Sequence, residues 1–141
     1  VKHPDFKTGL KGDFKKGRLH IEVQFGNMAR WYTDVFKFQL AYALGEIDLA
    51  VLIVPVQRFA NLIDENVVHF ERVVRELPAA KMSLTLPIMV MGIVPADFAP
   101  IKECYELADQ NYARLNPDKG HLETIPFEAR TRETDNDLFD D

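Results

Sequence analysis

The chain has 141 residues, 47% hydrophobic and 28% charged, a balance that fits one compact domain and excludes wholesale disorder and collagen-like repeats. No apolar run approaches the roughly 20 residues that cross a bilayer, Cys104 has no second cysteine to pair with, and no charged-then-apolar leader opens the sequence, so the reducing cytoplasm is the expected compartment. The net charge is −5, yet residues 1–37 hold eight Lys or Arg against four acids; this basic quarter either faces a polyanion or is simply solvated.

Val1 leads almost directly into hairpin-like sequence, as expected of a piece of a longer protein with some N-terminal structure elsewhere. Residues 1–132 are read as a single domain, and 133–141, with five acids and no base, as a mobile acidic tail. Short strand-like runs at 10–14 and 19–25 surround Lys15-Lys16-Gly17-Arg18, where glycine supplies the backbone freedom of a tight turn. A helix is expected over 28–44, with a wide apolar stripe through Trp31, Tyr32, Val35, Phe36 and Phe38 and a polar side marked by Arg30, Asp34 and Lys37; Gly45 stops it. Residues 49–54 read as a strand buried on both faces, 61–77 as a helix closed by Pro78, 88–94 as a second buried strand, and 101–115 as a last helix. This order predicts an α/β domain with a mixed central sheet flanked by helices.

The second strand alternates cleanly: Leu19, Ile21, Val23 and Phe25 share one face, expected to be core, and His20, Glu22 and Gln24 share the other. A two- or four-residue turn centred on Lys16-Gly17 sets Asp13 opposite His20 and diagonal to Glu22. Two carboxylates about 7–8 Å apart at Cβ can close on one hard cation. With open coordination positions and a basic surround, such a pair suits metal-assisted phosphodiester hydrolysis; the other reading is a solvated strand face. Asn27 is either the cap of the following helix or an amide able to pair with an adenine edge. Arg30 and Lys37 either reach phosphates or are solvated, and His20 reads as a packed neighbour of Glu22. The sequence has no Walker-type loop, no GxSxG elbow and no Cys/His metal cluster.

Asp13, eight intervening residues and Glu22-Val23-Gln24 resemble the PD-(D/E)XK nuclease motif, with glutamine where lysine is usual. Across Glu22-Val23-Gln24-Phe25-Gly26-Asn27, Ile47-Asp48 and Ile53-Val54-Pro55 the chain is similar to the BglII-type restriction endonucleases. The resemblance implies a restriction-endonuclease-like core and a type II enzyme cutting double-stranded DNA at a specific site as a homodimer. It makes Asp13 and Glu22 the Mg²⁺ carboxylates, the Val23 carbonyl a further ligand, and Asn27 a DNA contact. Gln24 would orient the attacking water without serving as its base, because an amide exchanges no proton near neutral pH; the base then comes from solvent or the substrate phosphate. The alternatives are a catalytically inactive nuclease fold that binds DNA or protein, and a small α/β interaction protein without a nucleic-acid role.

Overall fold

A computed structural model describes residues 11–80 and 85–119; the acidic tail and residue 10 of the first expected strand lie outside the described residues. Strands β1 (Phe14–Lys16), β2 (Leu19–Val23), β3 (Leu49–Pro55) and β4 (Ile88–Ile93) form one sheet in that spatial order. β1 and β2 are antiparallel, whereas β2, β3 and β4 are parallel, so the sheet is mixed as expected. Helix α1 (Arg30–Ala43) connects β2 to β3, α2 (Gln57–Ile63) and α3 (Phe70–Ala79) connect β3 to β4, and α4 (Ala99–Leu115) follows. Among the described residues no helix is long and apolar enough to cross a membrane.

The hairpin register differs from the expected one. Phe14 pairs with Ile21 and Lys16 with Leu19, which makes Gly17-Arg18 the two-residue turn, with Gly17 at φ 59°. The turn centre is one residue later than expected because the lysine pair stays in the ladder and glycine takes the first turn position, where positive φ costs it nothing. A one-residue move of the centre slides the partner strand by two, so the faces are kept. Arg18 then braces the turn: its guanidinium pairs with Asp48 and donates to the Gly45 carbonyl at 2.7 Å, while Asp48 N donates to the Arg18 carbonyl at 2.8 Å. This brace sets the start of β2 beside the start of β3.

Gly45 ends α1 as expected. At φ 72° its N–H reaches the Tyr42 carbonyl at 2.8 Å and the next N–H, of Glu46, reaches Ala41 at 2.9 Å; this pair of bonds satisfies the last open carbonyls of the helix. The helix expected over 61–77 is instead two helices. The backbone turns extended at Asp64, whose carboxylate accepts from Asn66 N at 2.7 Å, and Val67 and Val68 run through the core as a buried β-branched connector. The backbone of this segment and of the preceding Asn66 holds the β2 exit, with Val68 N donating to the Gly26 carbonyl at 3.1 Å and Met28 N to the Asn66 carbonyl at 2.6 Å. Pro78 lies inside the last turn of α3 rather than beyond it.

The larger correction concerns the faces. His20 pairs with Ala50 and Glu22 with Leu52, so these two polar residues share the face that carries the core; His20 is 8% and Glu22 3% exposed. Leu19, Ile21 and Val23, expected to be core, are only half-buried on the opposite face. Helix α1 is turned to match: Trp31, Asp34, Val35 and Phe38 form its buried stripe, Lys37 follows them inward, and Phe36 is 60% exposed. The polar strand face therefore meets a polar strip of α1, and the apolar cluster of Trp31, Val35, Phe38, Ile47, Ala50, Leu52, Val54, Val68, Val73 and Leu86 closes beside it. β4 is also not the doubly buried strand expected: last in the order of the described strands, it leaves Met89 and Met91 about half exposed.

This sidedness fixes where truncation hurts. Leu52→Ala should lower unfolding free energy by roughly 2–5 kcal/mol in urea titration, whereas Met91→Ala should stay within about 1 kcal/mol; equal losses would mean that β4 is as buried as β3.

Candidate active site

At the C-terminal end of β2, Glu22 and Val23 have no strand partner on the β1 side among the described residues. Asp13 lies just before β1 and, by the observed register, falls across from Glu22 rather than from His20. Its Oδ2 accepts a hydrogen bond from Val23 N at 2.8 Å. The next N–H, of Gln24, points the other way and donates to Ile53 of β3 at 2.8 Å. Because the N–H and carbonyl of a strand residue leave on the same edge, the Val23 carbonyl belongs to the Asp13 side. Asp13, Glu22, Val23 and Gln24 line one open pocket of about 350 Å³, together with Arg30, Thr33, Asp34 and Lys37 of α1.

Beneath the pocket lies a buried polar cluster. Lys37 Nζ is 2.8 Å from Glu22 Oε1 and 2.8 Å from Asp34 Oδ1, with its side chain 14% exposed. The second Asp34 oxygen, Oδ2, accepts from Gln24 Nε2 at 2.7 Å, and Gln24 Oε1 accepts from Gly26 N at 2.8 Å. His20 Nε2 lies 3.3 Å from Glu22 Oε1, and its ring meets Phe38 edge-on with centroids 5.3 Å apart. Glu22 Oε1 is buried, and the Lys37 ammonium at 2.8 Å is its counter-charge.

The electrostatics follow from this burial. Loss of solvent pushes the Glu22 carboxyl above its ordinary value, although Lys37 pulls it down. Burial acts to lower the Lys37 ammonium, but its bonds to Asp34 and Glu22 outweigh that and hold it above the ordinary value. His20 is lowered, first by burial and then by the positive charges of Lys37 and Lys15.

Asn27, Arg30 and Lys37 end in different surroundings. Asn27 is exposed and its Oδ1 accepts from Ala29 N at 2.9 Å, so its oxygen caps the turn that leads into α1 while Ala29 takes the N-cap position. Arg30 is exposed at the pocket. Lys37, by contrast, is an inward residue tied to two carboxylates. Sequence reasoning missed Asp34, which it left on the solvated side of the helix; the available signal was its spacing of three from Lys37 and from Trp31.

The donor set suits a hard divalent cation. It comprises two carboxylates and a backbone carbonyl, all oxygen, with Asp13 Oδ2 held by Val23 N and Glu22 Oε1 beside the Lys37 ammonium. Among the described residues no group of three or more His, Cys, Asp or Glu is placed to hold a metal ion.

The family model described as restriction endonuclease BglII/BglIII matches residues 2–93, well over half of the chain and inclusive of every site residue named above. No curated protein matches.

Because the folded-state Glu22 is raised, it binds a proton that the unfolded chain has already lost. Its contribution is therefore full below the ordinary glutamate value of 4.5 and is lost as pH rises through the raised value. The stability of the wild type relative to Glu22→Gln should accordingly fall across that window in chemical denaturation at stepped pH. A difference that grows with pH would mean that Lys37 outweighs desolvation.

Proposed function

The chain belongs to the restriction endonuclease BglII/BglIII family, and from that premise we propose that it is a Mg²⁺-dependent type II enzyme that hydrolyses both strands of a specific DNA duplex site as a homodimer. The observation that carries the reading is the convergence of Asp13, Glu22 and the Val23 carbonyl edge on one pocket beside Gln24. A divalent cation bound there neutralises phosphate charge and makes water a stronger nucleophile. Asp13, Glu22 and the Val23 carbonyl would hold it. Asp13 is itself fixed by Val23 N, so its free oxygen is presented at a set angle.

Gln24 positions rather than deprotonates. Its amide nitrogen gives one N–H to Asp34 and keeps a second for the attacking water. The water proton passes to solvent or to a phosphate oxygen, because the Gln24 amide cannot accept it near neutral pH. Arg30 at the pocket mouth is placed to meet a backbone phosphate, which fixes position without reading sequence. Asn27, whose oxygen is engaged in its own turn, has its amide N–H₂ left as a donor toward a base edge. Two copies on a palindromic duplex would present two such pockets, one for each strand.

Incubation with large plasmid and genomic DNA, with and without Mg²⁺, tests this. Discrete metal-dependent fragments are expected, and both Asp13→Ala and Glu22→Ala should lower the cleavage rate by at least about 10²-fold. A smear would point to a non-specific nuclease. DNA retention without cleavage would point to a nuclease fold used for binding, and full activity in Glu22→Ala would overturn the assignment.

A further inference from the structure

Position 24 is neutral, yet a reaction on a phosphodiester builds negative charge on the phosphate oxygens, and fixed positive groups in a water-poor site are the strongest means of meeting it. The pocket itself has three carboxylates, Asp13, Glu22 and Asp34, against two cations, Arg30 and Lys37. Arg30 is exposed, whereas Lys37 is mostly shielded and fixed. Asp34 joins the two relevant positions: one of its oxygens holds the Gln24 amide at 2.7 Å and the other holds the Lys37 ammonium at 2.8 Å. The charge absent from the strand therefore stands one carboxylate away, on the helix, touching Glu22 at 2.8 Å.

We propose, resting on the nuclease reading above, that Lys37 is a catalytic residue: its ammonium, delivered from α1, supplies the positive charge at the attacked phosphate that Gln24 cannot carry. An ammonium has three N–H donors. Two are committed to Glu22 and Asp34, which leaves one for a non-bridging phosphate oxygen. No proton is transferred in this role; Lys37 stays protonated and its contact strengthens as charge gathers on that oxygen. Asp34 is the positioning residue, since it fixes the ammonium and the Gln24 amide from one side each. The spacing of three on α1 lets both Asp34 and Lys37 reach the same strand face.

The arrangement makes a distinctive exchange possible. In Gln24→Lys the new ammonium can take the place of the amide nitrogen on Asp34 Oδ2, returning the charge to the strand. Single-turnover cleavage of a fragment mapped from a wild-type digest, gel-shift affinity for the same fragment with Ca²⁺ in place of Mg²⁺, and thermal unfolding should be compared for wild type, Lys37→Met and Gln24→Lys/Lys37→Met. Lys37→Met is expected to cleave at least about 10²-fold more slowly with its DNA affinity changed by less than about threefold, a difference small against the typical free-energy cost of a lost charged contact. The double variant is expected to recover to within about tenfold of wild type.

Cleavage by Lys37→Met within that threefold margin would overturn the proposal, as would a loss matched by equal loss of DNA affinity and not relieved in the double variant. If Lys37→Met does not fold, Lys37→Gln, which keeps a donor toward Asp34, decides the matter by the same two comparisons. Absence of cleavage by the wild type under all metals would instead strike the nuclease reading itself.

Discussion

The structure depends on one compensation: the Lys37 ammonium lies between the carboxylates of Glu22 and Asp34 under helix α1. A buried carboxylate without a partner is costly enough that it would take up a proton or force the helix away. Breaking a buried pair by removing one member typically costs roughly 3–5 kcal/mol. With Lys37 in place, α1 can settle on the face of β2 that carries His20 and Glu22, and Trp31, Val35 and Phe38 are brought onto β3 beside them. The polar cluster and the apolar core are thus two parts of one packed layer, and the geometry of the site is held by the same contact that seats the helix.

Such an arrangement is not what maximal stability would choose. Leu19, Ile21 and Val23 have the better residues for burial, and they sit half-exposed, while His20 and Glu22 take the covered side. Local rules broken in one place and compensated in another are characteristic of functional sites. Here the broken rule is sidedness, and the compensation is the three-charge cluster together with the edge-on contact of His20 and Phe38. Covering the carboxylate gives Glu22 a low-dielectric setting, in which its interactions are stronger than they would be at an exposed strand face.

Much of the architecture was legible in the sequence, for identifiable reasons. Strands 49–54 and 88–94 and the helices starting near Met28 and Ile101 announce themselves through period and punctuation, and the Gly45 stop follows from backbone sterics. The approach of Asp13 to Glu22 was readable only as a diagonal one, because the expected register set Asp13 opposite His20, whereas the observed register sets it across from Glu22 itself. Which face of β2 is covered was not: alternation says which residues share a side, while the choice between sides is made by α1, a partner distant in the fold. Asp34 was hidden for the same reason, since an aspartate among charged neighbours looks solvated until the strand beneath it is seen. The break between α2 and α3 escaped because Val67 and Val68 continue an apolar period while serving as an extended connector. In the hairpin, a turn that could be centred on either of two adjacent positions left the register open by one step.

The close approach of Gly12 to His20 has a consequence for substitution. A Cβ at position 12 would overlap the His20 ring, which is itself fixed between Phe38 and Glu22. The two positions are therefore coupled: a side chain at 12 requires the His20 ring to shift or a smaller residue at 20, so the setting of Glu22 is tied to a residue with no side chain at all.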